Sequence, residues 1–155
     1  MSHDQTIEFE FNQITSEIFI GTDLCCQQHF NDKFGPLGIT AAISLQAEKE
    51  DHIGGLAYFL WLPVIDQQAP SVGQLQLGVE TLVFFVTNQI KVYVHCRWGH
   101  GRSVTLVIAY LISTGMTFDA AHSLVKAKRP EIHLETVQID ALKDFEEKHL
   151  WIQEK

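Results

Sequence analysis

Between Val94 and Val104 the chain reads His95-Cys96-Arg97-Trp98-Gly99-His100-Gly101-Arg102-Ser103. A β-prone run, Lys91–His95 (KVYVH), ends at the cysteine. An almost wholly apolar helical run, Ser103–Ser113, begins past the second arginine. Backbone N–H groups in a short strand-to-helix loop can curl inward into a nest for an anion. The helix N-terminus adds partial positive charge in the same direction. Gly99 and Gly101 permit backbone angles that other residues resist. The expected product is a cup the size of a phosphate, floored by Cys96 and built from Arg97, Trp98, Gly99, His100, Gly101 and Arg102.

The same N–H groups and helix dipole would stabilise a thiolate on Cys96 and lower its pKa. A thiolate at neutral pH can attack phosphorus. Arg102 can hold two phosphate oxygens with its planar fork, a geometry lysine lacks. Ser103 can donate a hydrogen bond to the sulfur when it leaves. His95 is expected to bond nearby backbone and fix the loop, not to act as a base. A Cys six positions before an Arg is a weak signal alone. Its context sharpens it: a preceding β run, two loop glycines, Ser after Arg, and an apolar helix behind. A buried structural Cys beside a solvated Arg is the competing reading, and a loop cysteine among cations is an unusual core residue.

The elements that must position this loop follow from hydrophobic periodicity. Ile7, Phe9 and Phe11 alternate with Glu8 and Glu10 as a half-buried strand. Asn12–Ser16 reads as a turn, Glu17–Ile20 as a short strand and Asp23–Lys33 as a short helix. Ile39–Leu45 and Ala57–Leu62 read as buried strands, the second stopped by Pro63. Ser71 with Gln74 is a capping box, followed by Leu75, Val79, Leu82, Val83 and Val86 at helical spacing. Ser103–Ser113 predicts a central helix, stopped by Gly115. Thr117 caps a further helix through about Lys128, ended by Pro130. Glu135–Leu150 reads as a last amphipathic helix with Gln138, Ala141, Leu142 and Phe145 on one face. Strands alternating with helices predict an α/β three-layer sandwich with a largely parallel sheet of four to five strands. Ligands in such folds sit past the C-terminal ends of the strands.

The length, 155 residues, suits one domain spanning 1–155. No apolar run is long enough to span a bilayer, and MSHDQTIEFE does not read as a secretory signal. A soluble cytoplasmic protein without membrane insertion is therefore expected. The net charge of -8 argues against nucleic acid as a partner. A cationic loop on an acidic body suggests a small anionic target. The three cysteines, Cys25, Cys26 and Cys96, suggest no disulfide framework; Cys25 and Cys26 read as packing residues on the first helix. No zinc-like spacing is present, so neither metal nor cofactor is expected. Lys126, Lys128 and Arg129 read as a solvated helix end.

His-Cys-x5-Arg-Ser resembles the phosphate-binding loop of the protein tyrosine phosphatase superfamily, and the rest resembles its compact dual-specificity branch. The likeness runs through Ile14–Asp23, Gly38–Leu45, Trp61–Asp66 (WLPVID) and Thr117–Pro130. It implies hydrolysis of phosphotyrosine, and with it phosphoserine or phosphothreonine, in proteins through a phosphocysteine on Cys96, the partner being a phosphorylated protein or a small phosphomonoester. Asp66 would be the general acid and then the base; otherwise it shapes the turn before Ser71. Asp51 and Glu50 are the next candidates for that role. Arg97 and His100 occupy positions that are basic in some lipid and inositol phosphatases of the superfamily. Arg97 reads rather as a solvated or paired rim residue, and Trp98 either stacks on a substrate ring or shields the loop. Where many relatives carry a water-positioning Asn, this chain has Glu135 and Thr136, and Gln138 reads as a helix-face residue. The alternatives are a phosphoinositide or phosphometabolite phosphatase, a catalytically silent phosphate-binding module, and a rhodanese-like sulfurtransferase. Asp66, Ser103 and the long helical tail stand against the last.

Overall fold

A computed structural model of the chain describes residues 8–24 and 26–153; Ile7 and Cys25 lie outside them. Within these residues one five-stranded sheet has the order β1-β2-β5-β3-β4. The strands are β1 (Phe11–Gln13), β2 (Ile18–Gly21), β3 (Ile39–Gln46), β4 (Tyr58–Val64) and β5 (Lys91–His95). All neighbours are parallel except β1 on β2. β2, β3 and β5 are nearly continuous apolar runs because both faces are covered. β5 is central, and its last residue, His95, pairs with Gly21 on one side and Ser44 on the other. The segments after β2 and β3 therefore leave the sheet beside Cys96.

One face carries α2 (Val72–Thr87), α3 (Arg102–Ser113), α4 (Phe118–Lys128) and α5 (Thr136–Gln153). Every residue of α3 from Arg102 to Ile112 is buried, so α3 runs between the sheet and the other helices. Fully burying each of its Leu, Ile and Val side chains contributes about 1.5–3 kcal/mol. The other face is thinner. There α1 (Gln27–His29) and the π-helical turn Phe30–Phe34 pack Phe30 and Phe34 against Phe19, Ala42 and Tyr93.

The three-layer α/β architecture agrees with the sequence-based expectation, and the differences have local causes. Asn12 and Gln13 belong to β1, so the first turn starts later than expected. The expected helix Asp23–Lys33 begins only at Gln27, because Asp23 is held by Gln46 and Lys49. Pro63 does not stop β4, which runs to Val64; at a sheet edge its missing N–H costs no ladder bond. The Ser71–Gln74 capping box is present with both hydrogen bonds, and Thr117 caps α4 through Ala120 N–H.

Candidate active site

β5 delivers Cys96 to the base of the loop, where the residue is 2% exposed. Its Sγ lies 3.3 Å from Ser103 Oγ. Gly101 is the N-cap of α3 and offers no side chain to the first-turn N–H groups, leaving them for a ligand. The two loop glycines serve different ends. Gly99 has φ +69°, and a Cβ there would come within 2.6 Å of the Gly21 carbonyl oxygen. Gly101 has φ −128° and needs only room, since a Cβ would come within 2.9 Å of Gln138 Oε1.

Arg129 is not the solvated helix end expected from sequence. It is fully buried. Its Nε donates to Gly99 O at 2.7 Å and its Nη2 to Trp98 O at 3.2 Å. Glu10 at 2.6 Å and Asn12 at 2.7 Å hold the guanidinium from the N-terminal side. The Asp23 N–H donates to Arg97 O at 3.1 Å. Carbonyls of three successive loop residues are thus held from outside the cup.

Arg102 is also buried. Glu48 takes its fork through both carboxylate oxygens, at 2.5 and 3.0 Å, and Val64 O accepts from Nη1 at 2.8 Å. Asp66 Oδ1 lies 3.4 Å from Nη2. Burial works against the guanidinium charge, but the Glu48 hydrogen bond and the charges of Cys96, Glu48 and Asp66 outweigh it and raise its pKa. Asp66 opens a tight turn in which Gln68 N–H bonds Ile65 O and Gln67 takes φ +66°. Its carboxylate is half-exposed and accepts the Gln67 N–H.

His95 does not bond backbone as expected. Its Nε2 lies 2.7 Å from Asp51 Oδ2, with both side chains buried. That contact removes Asp51 from the reserve candidates for a proton donor. Gln138, read from sequence as a helix-face residue, is buried beside the loop. Its Oε1 accepts the Glu135 N–H at 2.9 Å, and its Nε2 donates to Gln68 O at 3.1 Å, tying α5 to the Asp66 turn.

A cavity of about 210 Å³ opens over Cys96. Its lining joins Cys96, Trp98, His100, Gly101 and Arg102 to Asp66, Gln67, His133, Glu135 and Gln138. It lies below the roughly 300–1,000 Å³ of pockets for drug-sized ligands, which fits a phosphoryl group and the first atoms of its ester. Arg97 stands apart from this lining, its guanidinium 5.7 Å from the Trp98 ring centroid. Burial and the charge of Arg129 push the His100 pKa down, so its imidazole is a poor cation for a second phosphate near neutrality. Among the described residues no group of three or more His, Cys, Asp or Glu is placed to hold a metal ion, and no helix is long and apolar enough to cross a membrane.

Residues 18–148 match the model of the dual specificity phosphatase catalytic domain. Over 78 residues the chain is 37% identical to phosphatidylglycerophosphate phosphatase PTPMT1 of Arabidopsis thaliana, covering 50% of this chain and 23% of that protein. Over 94 residues it is 34% identical to dual specificity protein phosphatase 2 of Mus musculus, covering 59% of this chain and 30% of that protein. The chain thus spans less than a third of the length of these two relatives. Among solved structures, PTPMT1 in complex with PI(5)P superposes with a TM-score of 0.83 at 21% identity, covering 92% of this chain and 98% of that one. That likeness is one of fold.

Proposed function

Because the chain belongs to the dual specificity phosphatase catalytic domain family, we propose that it hydrolyses phosphomonoesters by a two-step mechanism centred on Cys96. Phosphotyrosine and phosphoserine or phosphothreonine in proteins are the proposed substrates. The observation that carries the reading is one cavity holding Cys96 and Arg102 at its base and Asp66 at its wall.

In the first step Cys96 Sγ attacks phosphorus. The S–P bond forms, the P–O ester bond breaks, and Asp66 gives its proton to the departing oxygen. Arg102 and the loop N–H groups take the charge that builds on the phosphoryl oxygens. In the second step a water oxygen bonds phosphorus as the S–P bond breaks, and Asp66 takes the water's proton. Ser103, 3.3 Å from Sγ, donates to the sulfur as it regains its charge. Gln138 is placed at the same cavity wall with an amide able to orient that water. His95, Gly99 and Arg129 keep the loop in shape. No step draws on a cofactor or a metal.

A phospholipid or soluble phosphometabolite is the second reading, favoured by the likeness to a phosphatidylglycerophosphate phosphatase over half of the chain. Comparing kcat/KM for a phosphotyrosine peptide, a phosphothreonine peptide, phosphatidylglycerophosphate and a phosphoinositide, with Cys96→Ser as the blank, decides between them. The protein reading expects the peptides to lead by at least tenfold. A lead for either lipid overturns that reading, and no turnover of any substrate above the blank overturns the phosphatase assignment.

A further inference from the structure

The short segment that follows β3 contacts the two ends of the loop directly and its middle through Asp23. Glu48 holds Arg102 at the loop's far end. Lys49 binds Asp23 at 2.8 Å, and Asp23 N–H in turn holds Arg97 O within the loop. Asp51 binds His95, the residue immediately before Cys96. The sheet order makes this reach available, because β3 lies next to β5.

The Asp51 contact differs from the other two in its burial. Side-chain exposure is 0% for His95 and 1% for Asp51, whereas Glu48 and Lys49 are partly open. A carboxylate at that depth needs a donor, and His95 Nε2 at 2.7 Å is the group that supplies one. The other polar atoms of the pair, Asp51 Oδ1 and His95 Nδ1, have no protein partner, so the ring is oriented through Nε2 alone among its polar atoms. The flat faces are set by Tyr93, whose ring stacks on His95 at 5.3 Å and 22°. Tyr93 is itself tied by its hydroxyl to the Thr22 carbonyl.

We propose that Asp51 is a positioning residue for the nucleophile: through His95 it fixes where Cys96 leaves β5, so that one segment, Glu48–Asp51, sets the thiolate and the Arg102 fork in register with each other. The proposal rests on the phosphatase reading for its turnover assay but not for its thiol assay. Misplacing reacting groups by about 1 Å can cost up to a hundredfold in rate. An interaction used only in the transition state shows in kcat rather than KM.

The test uses Asp51→Ala, Asp51→Asn, His95→Ala and the double variant Asp51→Ala/His95→Ala, assayed with an aryl phosphate and by iodoacetamide alkylation of Cys96 at fixed pH. Asp51→Ala is expected to lower kcat by about tenfold with KM within about twofold, and to slow alkylation at least threefold. The Asn amide oxygen still accepts from Nε2–H, so Asp51→Asn is expected to recover both rates to within about threefold. The double variant is expected to be no slower than His95→Ala, since Asp51 acts through that ring. Wild-type rates in Asp51→Ala, no recovery in Asp51→Asn, or additive losses in the double variant would each overturn the proposal. Asp51→Ser, which falls short of the ring, carries the same comparison if Asp51→Ala does not fold. If the wild type hydrolyses no phosphomonoester, the phosphatase reading fails while alkylation still decides the role of Asp51.

Discussion

Glu48 and Arg102 form a two-pronged ion pair, with Oε1 on Nη1 at 2.5 Å and Oε2 on Nη2 at 3.0 Å. The pair sets the plane of the guanidinium, and under the proposed mechanism preorganisation of that kind would lower the cost of binding charge in the transition state.

Glu48 therefore has a readable pH signature. Burial pushes its carboxyl pKa up, but the Arg102 hydrogen bond and charge outweigh this and hold it below the ordinary value. A carboxyl depressed in the folded state contributes stability above its unfolded pKa, about 4.3, and loses it as pH falls through the folded value. Urea unfolding from pH 7 to pH 3 should show wild-type stability falling below about pH 4.3, with a shallower fall in Glu48→Gln. Equal slopes would show that the pair contributes nothing to folding.

Arg102 and Cys96 separate binding from chemistry. Cys96→Ser should fold, bind vanadate and lose turnover of an aryl phosphate. Arg102→Lys keeps a charge but not the fork, and should lower kcat by at least about a hundredfold. A change in KM alone would assign Arg102 to ground-state binding.

Arg129 answers for the loop's shape. Replacing it by Met leaves the Trp98 and Gly99 carbonyls without their donor, while the Glu10 carboxylate, 41% exposed, is solvated instead; the loss should be about 1–3 kcal/mol. For a chain of this size each kcal/mol lowers Tm by about 2–4 °C. Vanadate affinity should fall with Tm, because the peptides that Arg129 holds are those of the cup. An unchanged Tm would place the buried contacts outside the folding energetics.

These contacts also mark what the sequence could reveal. The strand-to-helix loop, its cysteine, its arginine and the apolar helix behind it are local patterns, legible from residue types and spacing. The Ser71–Gln74 box is equally local, and both of its bonds are present. Glu48, Asp51 and Arg129 act across the sheet order, which periodicity does not encode. Glu48 and Asp51 meet the loop only because β3 lies beside β5, and Arg129 only because the turn after α4 lies under Trp98 and Gly99. An acidic cluster directly after a buried strand, Glu48-Lys49-Glu50-Asp51, was the available signal for the first two. For Arg129, sitting beside Pro130 at a helix end, the pattern pointed to solvent and carried no sign of burial.

Asp66 is tested by its leaving-group dependence. An alkoxide or unactivated phenoxide departs poorly without a proton, whereas an aryl oxide with a low-pKa conjugate acid needs little help. Asp66→Asn keeps the turn, since the amide oxygen can still accept the Gln67 N–H that Asp66 Oδ1 accepts at 3.0 Å. The variant should lose at least about a hundredfold in kcat/KM on phenyl phosphate, toward the lower end of what general acid catalysis supplies. On an activated aryl phosphate it should lose about tenfold or less. Equal losses on both substrates would make Asp66 a residue of the turn and of the Arg102 contact at 3.4 Å. The proton donor would then be sought at Glu135, which lines the same cavity, and not at Asp51, whose carboxylate is buried against His95.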